Sequence, residues 1–134
     1  MENKEKQYPF FMYGTLMLGF GNHFRIRNIF TEMKKAILQG FDMYELWTYP
    51  GIIPGKGKIH GELYYILPEH FEAILKELDR VESGAGYHRE LKEVTDNEGI
   101  KVLAYVYILN YDISDNYNKI ESGDWKEYYD NFLI

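Results

Sequence analysis

The sequence predicts an α+β fold, in which one amphipathic helix packs on a mostly antiparallel sheet. The helix is predicted over 68–82, where the apolar residues follow the i, i+3, i+4, i+7 spacing of one helix face: Phe71, Ile74, Leu75 and Leu78. The segments 87–95 and 100–109 are predicted strands, joined by the hairpin signal Asp96-Asn97-Glu98-Gly99. The chain has 134 residues, of which 46% are hydrophobic and 17% aromatic, so we expect a single domain over residues 1–134.

The N-terminal part of the chain is assigned from its local pattern. Residues 8–13 form an apolar, aromatic run that stops at Gly14, which favours a buried strand. Residues 15–21 are predicted to be a loop, and 22–30 a short helix with Asn22 as its N-cap.

Two further strands are predicted around a glycine-rich segment. Residues 36–46 suit one or two strands broken near Gly40. Residues 58–67 suit a strand in which Gly61 permits the close approach of another backbone. Between them, 48–58 holds two prolines and three glycines and is therefore predicted to be a loop.

Composition and charge exclude several classes of function. The formal net charge is −6 and no run of Lys or Arg exceeds two residues, so we do not expect a nucleic-acid partner. There is no cysteine, which excludes disulfides, thiol nucleophiles and cysteine-ligated metals. The N-terminal segment is charged and lacks the apolar region of a signal peptide, and no apolar run approaches the roughly 18 residues of a membrane span. We therefore expect a cytoplasmic protein with no membrane partner.

Glu82 stands within the apolar stripe of the predicted helix. It follows Phe71 by eleven positions, and at about 100° per residue the two side chains point within about 20° of each other. A buried carboxylate costs free energy unless it is paired, so Glu82 needs a structural partner or a chemical role. It could bond backbone N–H groups at the helix end or pair with Arg89, or it could be catalytic; the residues alone favour neither alternative.

The segment Tyr13-Gly14-Thr15-Leu16 is a strand end that runs into a glycine turn. Such a turn exposes consecutive backbone N–H groups, which can hold a carboxylate or an oxyanion. An ordinary exit from a strand is the more common explanation of so short a string. No phosphate-binding glycine motif and no G-x-S-x-G elbow is present.

Other side chains with chemical potential are ambiguous when each is taken alone. Arg89 suits either a partner for Glu82 or a clamp on a ligand. Tyr87 and Tyr107 lie on predicted strands, where core packing is the default. The four histidines show no metal-binding spacing, so no metal site is predicted.

Taken in order, the short motifs of the chain resemble one family. They are Tyr13-Gly14-Thr15-Leu16, Asn22-His23, Tyr49-Pro50-Gly51, Gly61-Glu62-Leu63-Tyr64, Leu78-Asp79-Arg80-Val81-Glu82, Tyr87-His88-Arg89 and Ser122-Gly123-Asp124-Trp125. The set resembles the γ-glutamylcyclotransferase-like family, in the short single-domain branch that includes γ-glutamylamine cyclotransferases, the butirosin-pathway cyclotransferase and YtfP-like proteins. The resemblance implies a small, mainly antiparallel (mixed) β-barrel with helices packed outside it and a pocket at one end.

The resemblance also implies an activity, because the family's enzymes release 5-oxoproline and a free amine from a γ-glutamyl compound without a cofactor. By motif, Glu82 is the expected general acid/base, the loop Tyr13-Gly14-Thr15-Leu16 is expected to hold the glutamyl group and the oxyanion, and Tyr87 is expected to line the pocket. Arg89 and Tyr107 are candidates for additional contacts. Many relatives have E-G after the helix, whereas here Glu82 is followed by Ser83-Gly84-Ala85-Gly86, which leaves the choice of leaving amine open.

Two other functions are compatible with the sequence. A non-enzymatic module of the same fold would bind a γ-glutamyl compound or another small acid without turnover. An amidohydrolase would use Glu82 to activate water and release glutamate. A binding module has little reason to place a carboxylate where an acidic ligand sits, so we rank the cyclotransferase first, the binding module second and the hydrolase third. The expected partner is a small γ-glutamyl compound, and a monomer is the default oligomeric state.

Overall fold

Six strands and two helices form in the part of the chain that the computed structural model describes, residues 7–15, 17, 23 and 25–132. In chain order they are β1 (Phe10–Met12), β2 (Phe30–Leu46), β3 (Tyr49–Ile66), α1 (Pro68–Gly84), β4 (Tyr87–Asp96), β5 (Lys101–Leu109), β6 (Lys119–Ile120) and α2 (Trp125–Phe132). Leu16 and Asn22, for which the sequence predicts a role, lie outside the described residues.

Five of these strands close into a barrel. Around the ring, β1 is antiparallel to β3 and parallel to β5, β4 is antiparallel to β5 and to β2, and β2 is antiparallel to β3. The short β6 pairs with β2 outside the ring. The α+β class is therefore confirmed, as is the mainly antiparallel, mixed barrel that the family resemblance implies.

Helix α1 packs its predicted apolar face on the barrel. The four residues at helical spacing are all buried: Phe71, Ile74, Leu75 and Leu78. The Phe71 ring lies 5.9 Å from the ring of Phe10 on β1 and 6.2 Å from that of Tyr105 on β5, measured between centroids. The helix ends at Gly84, where the N–H of Ala85 donates to the carbonyl oxygen of Glu82 at 3.1 Å.

The predicted loop at 48–58 is wrong, because strand β3 runs through it and pairs with β2 almost to its first residue. The glycines there serve close packing between strands. A Cβ added to Gly51 would overlap the side chain of Leu109, and one added to Gly55 would overlap the carboxylate of Asp42. Sequence reasoning assigned these glycines to turns because the side chains that require them lie on other strands.

The helix predicted over 22–30 forms only in part among the described residues. His23 and Arg25 have 3₁₀-helical conformation and turns follow, with the N–H groups of Ile26 and Arg27 donating to the carbonyl oxygen of His23 at 3.0 and 3.1 Å. Asn28 has a φ of 72°, which takes the chain out of the helical conformation, and β2 begins two residues later. Of the one or two strands predicted over 36–46, the structure forms one: β2 continues through Gly40, where the β2–β3 register only shifts between Gln39 and Phe41.

The close approach predicted at Gly61 is confirmed and is tested by a substitution. A Cβ at this position would lie 2.5 Å from the backbone oxygen of Met12 and 2.6 Å from Cζ of Phe11, both in the buried β1. We expect Gly61→Ala to lower the free energy of unfolding by about 1–3 kcal/mol, because β1 must move away from β3. Urea denaturation measures the change.

Gly84→Ala is the matched control for this substitution. A Cβ on Gly84, at the end of α1, would meet nothing within 4 Å. It should therefore leave stability unchanged or raise it by up to about 1 kcal/mol. Equal effects of the two substitutions would contradict the proposed close contact between β1 and β3.

Candidate active site

A cavity of about 300 Å³ opens at the end of the barrel where β1 finishes and β4 begins. Its walls come from the end of β1 and the loop after it, the β2–β3 turn, the end of α1, and the facing strands β4 and β5. The residues that line it include Tyr13, Gly14, Thr15, Thr48, Tyr49, Pro50, Glu82, Ala85, Tyr87 and Tyr107. Four segments that are distant in the sequence thus meet around one space.

Glu82 is the only charged side chain among the described residues that line this cavity. Its carboxylate makes no hydrogen bond and no ion pair with any other described residue. Burial raises the pKa of Glu82 to about 7, and the positive charge of Arg25 opposes this rise. A carboxylate with such a pKa can both accept and donate a proton near neutral pH.

Arg89 does not pair with Glu82, so that structural explanation of Glu82 is wrong. Its guanidinium Nε donates instead to Oδ1 of Asp79 at 3.0 Å, and the group lies over the ring of Tyr105, 4.6 Å from the centroid. Arg89 is not among the residues that line the cavity. It anchors α1 to the β4–β5 hairpin.

Tyr107 belongs to the same anchor but also reaches the cavity. Its hydroxyl donates to Oδ1 of Asp79 at 2.7 Å, the oxygen that also accepts from Arg89. Burial raises the pKa of Tyr107 well above its ordinary value, and the neighbouring Asp79 carboxylate raises it further. The hydroxyl is therefore neutral at physiological pH. The sequence led us to expect that Tyr107 only packs in the core, whereas in the structure it also lines the cavity.

Tyr13 and Tyr87 cross-link the walls. The hydroxyl of Tyr13 donates to the backbone oxygen of Tyr107 at 2.6 Å, and that of Tyr87 donates to the backbone oxygen of Pro50 at 2.6 Å. Burial is the main cause that raises the pKa of both phenols, and the charge of Glu82 adds to it. These bonds hold β1, β3, β4 and β5 at fixed distances around the space in front of Glu82.

The loop after β1 lines the same cavity as Glu82. Gly14 and Thr15 both line it, and the carbonyl oxygen of Gly14 accepts from the N–H of Met17 at 3.0 Å. A Cβ on Gly14 would lie 3.0 Å from Cγ of Pro50, so glycine permits this loop to pack on β3. Leu16, the last residue of the motif, lies outside the described residues.

The structure therefore gathers five of the sequence-predicted site residues around one cavity and separates another from them. The five are Tyr13, Gly14, Thr15, Glu82 and Tyr87; Tyr107 joins them and Arg89 does not. Sequence reasoning missed the part played by Asp79. The available signal was its position three residues before Glu82 on the same helix, which places the two on adjacent turns.

Neither a metal-binding cluster nor a membrane-spanning helix is found within the described ranges. Among residues 7–15, 17, 23 and 25–132, no group of three or more His, Asp or Glu side chains is placed to hold a metal ion. None of the described helices has the length and apolar character needed to traverse a lipid bilayer.

The described chain is a β-barrel with a cavity at one end, and comparison with known sequences identifies its family. The family model described as "Gamma-glutamyl cyclotransferase, AIG2-like" matches residues 10–127. The chain belongs to this family, as the order of its motifs implied.

Individual relatives agree with this assignment. The "Gamma-glutamylcyclotransferase family protein YtfP" of Escherichia coli K12 is 33% identical over 116 residues, which cover 86% of this chain and 93% of that protein. The "Gamma-L-glutamyl-butirosin B gamma-glutamyl cyclotransferase" of Niallia circulans is 30% identical over 124 residues, 88% of this chain and 75% of that protein. The crystal structure of YkqA from Bacillus subtilis matches with a TM-score of 0.72 and 27% identity, over 92% of this chain and 41% of that chain.

The raised pKa of Glu82 predicts how Glu82→Gln changes stability with pH. The folded pKa of about 7 exceeds the ordinary value, so the native state binds this proton more tightly than the unfolded chain does. The resulting stabilisation is fully present below about pH 4 and is lost as the pH rises to about 7. We expect the free energy of unfolding of Glu82→Gln to exceed that of the native chain by about 1–3 kcal/mol at pH 8 and to match it near pH 4. Urea denaturation at both pH values measures it.

Glu72→Gln is the control for this prediction, because Glu72 is exposed on the same helix. It should show no such difference between pH 4 and pH 8. Equal behaviour of the two variants would mean that the cavity does not desolvate Glu82.

Proposed function

We propose that the protein cyclises a γ-glutamyl amine or a γ-glutamyl amino acid to 5-oxoproline and releases the free amine. The observation that carries this proposal is Glu82, a carboxylate with a pKa of about 7 that pairs with no other described residue and is the one charged group in the described lining of the cavity. Membership of the family and the cyclotransferase activity for which the Niallia circulans relative is named support the same reaction class.

The pKa of Glu82 suits it to the first proton transfer. The α-ammonium group of a γ-glutamyl substrate has a pKa near 8, so an ordinary glutamate near 4.3 would accept its proton at a cost of about 5 kcal/mol. With Glu82 at about 7, the cost falls to about 1.4 kcal/mol. Desolvation of this one side chain thus removes most of the barrier to generating the free amine.

The bond changes are intramolecular after that transfer. The substrate's α-amino nitrogen attacks its own γ-carbonyl carbon and forms the five-membered lactam ring. A well-oriented intramolecular attack of this kind gains roughly 7–11 kcal/mol over a bimolecular one. Protonated Glu82 then gives its proton to the departing nitrogen as the γ-carbon–nitrogen bond breaks, which regenerates the carboxylate. The ring nitrogen loses its second proton to the released amine, which leaves as an ammonium ion.

The loop after β1 is our candidate for the oxyanion site. Gly14 and Thr15 line the same cavity as Glu82, and we infer that backbone N–H groups there donate to the oxygen of the tetrahedral intermediate. One such donor often contributes about 3–4 kcal/mol to the transition state. Tyr13, Tyr87 and Tyr107 keep neutral hydroxyls within the walls, and the whole reaction requires no cofactor.

Removal of the carboxylate tests the general acid/base. We expect Glu82→Gln to lower turnover by about 10²–10⁴-fold, because the amide cannot accept the ammonium proton. Mass spectrometry of 5-oxoproline, over a panel of γ-glutamyl amines and γ-glutamyl amino acids, measures it. Glu72→Gln, exposed on the same helix, is the matched control and should retain full turnover.

Other results of the same assay point elsewhere. A Glu82→Gln variant with near-native turnover would refute the role of Glu82. Glutamate in place of 5-oxoproline would indicate a hydrolase that activates water. A calorimetric binding signal for a γ-glutamyl compound, without either product, would indicate a binding module.

The pH dependence of kcat/KM provides a separate prediction. Glu82 must be ionised in the free enzyme to accept a proton, so kcat/KM should fall tenfold per pH unit below its folded pKa of about 7. The profile should be measured between pH 5 and pH 9 with a fixed ionic strength. A profile with no fall in kcat/KM between pH 7 and pH 5 would assign the base to a carboxylate in water, not to Glu82.

A further inference from the structure

The turn between β2 and β3 places a tryptophan where glycine is expected. Leu46 pairs with Tyr49, so Trp47 and Thr48 are the two central residues of a tight hairpin. Trp47 has a φ of 62° and Thr48 does not have a positive φ. This is the pattern of a type II′ turn, whose first central position ordinarily holds glycine because a Cβ is strained there.

Trp47 is also 80% exposed, which leaves a large apolar ring in water. The strain and the exposure both oppose this residue at this position, and Trp47 is not part of the hydrophobic core that the described residues form. Departures of this kind from local preference are expected where a residue serves a ligand.

The turn forms one lip of the candidate active site. Thr48, Tyr49 and Pro50 follow Trp47 directly and line the cavity that holds Glu82. The hydrogen bond from Tyr87 to the backbone of Pro50 fixes this lip to β4. Trp47 is therefore at the entrance to the cavity and not in its interior.

A second exposed aromatic side chain stands at the other lip. Tyr111 follows β5 and is 54% exposed, and its Cε1 lies 3.4 Å from the position that a Cβ on Gly86 would take. Tyr111 and the 36% exposed Tyr49 are both close enough to Tyr87 to raise the pKa of its phenol. Of the exposed aromatic side chains that the structure describes, only Tyr129 belongs to another region, on α2.

We propose that Trp47, Tyr49 and Tyr111 form an aromatic subsite that binds the leaving-amine part of the substrate and selects amines carrying an aromatic ring. The inference rests on the proposed cyclotransferase function. With the γ-carbonyl beside Glu82, the amine portion extends outward between the two lips, where its ring stacks on exposed ring faces. Among the described residues that line the cavity, Glu82 is the one carboxylate, and the reaction requires it, so a cationic amine finds no counter-charge there.

Three substrates that differ only in the amine test the selectivity. They are γ-glutamyl-phenethylamine, γ-glutamyl-ethylamine and the cationic γ-glutamyl-cadaverine. The native protein should prefer the phenethyl compound, and Trp47→Gly should raise KM for it by about 3–10-fold while kcat changes little. The melting temperature should not fall, because glycine suits the turn.

Ile100→Ala is the matched control, since Ile100 is 53% exposed at the opposite end of the β4–β5 hairpin from the cavity. It should leave the preference among the three substrates unchanged. A native preference for the cadaverine compound, or a preference that Trp47→Gly does not alter, would overturn the proposal.

Tryptophan fluorescence separates failure of the subsite from failure of the reaction. The chain has two tryptophans, and Trp125 is only 2% exposed, so the signal lost in Trp47→Gly reports the turn. Titration of Glu82→Gln with γ-glutamyl-phenethylamine should change this emission, and γ-glutamyl-ethylamine should change it far less. If the emission of Trp47 changes in this way but the native protein forms no 5-oxoproline, the proposed reaction is refuted and the proposed subsite is supported. Production of 5-oxoproline without any response of Trp47 would refute the subsite alone.

Discussion

The desolvation of the Glu82 carboxylate is the interaction on which the rest of the site depends. The barrel contains a second inward-facing glutamate, and the contrast shows what desolvation without a partner means. Glu62 is 4% exposed, yet its two carboxylate oxygens accept from the hydroxyl of Tyr64 and from Nζ of Lys126, each at 2.8 Å. Glu82 has no comparable partner among the described residues, and its pKa rises to about 7. Burial raises the pKa of a carboxylate towards neutrality when no hydrogen bond or ion pair stabilises its charge, and a buried carboxylate with such partners is not affected in this way.

An uncompensated carboxylate tends to turn towards water unless the surrounding structure restrains it. Here α1 is held from two sides. Its apolar face packs on β1 and β5 through Phe71, and one oxygen of Asp79 accepts from both Arg89 and Tyr107. Asp79 is one turn before Glu82, so this pair of bonds fixes the helix at the turn that carries the carboxylate. Contacts elsewhere on α1 thus keep the Glu82 carboxylate in its desolvated position. These contacts do not involve the carboxylate itself.

The sequence predicted the features that depend on neighbours within one segment. The helical spacing of Phe71, Ile74, Leu75 and Leu78 gave both α1 and the inward direction of Glu82, and the Asp96–Gly99 signal gave the β4–β5 hairpin. Errors arose where the cause lies on another strand. The glycines of β3 are required by Leu109 and Asp42, which are far away in the chain, and no local pattern reveals them.

The candidate site likewise combines residues whose placement the sequence predicts with residues whose placement only the fold reveals. Glu82 was accessible from periodicity, whereas the destination of Arg89 was not, because two carboxylates on one helix were within its reach and only packing selects Asp79. Tyr107 looked like core because alternation along β5 cannot distinguish a side chain that faces the core from one that faces a cavity inside the same barrel. A cavity is a property of several segments at once, so its walls became evident only in the folded chain.

Glu82 and Trp47 are both unfavourable for stability at their positions. An uncharged side chain would be more stable in place of Glu82, and glycine in place of Trp47. A purely structural origin gives no reason for both to occur at one place. Yet Trp47 stands at the turn whose next three residues line the cavity, and Glu82 is the charge inside that cavity. The proposed reaction moves a proton inside the cavity and recognises an amine at its entrance. It therefore needs a desolvated acid/base inside and an apolar surface at the entrance. The two departures are therefore best explained together, as the inner and outer parts of one site.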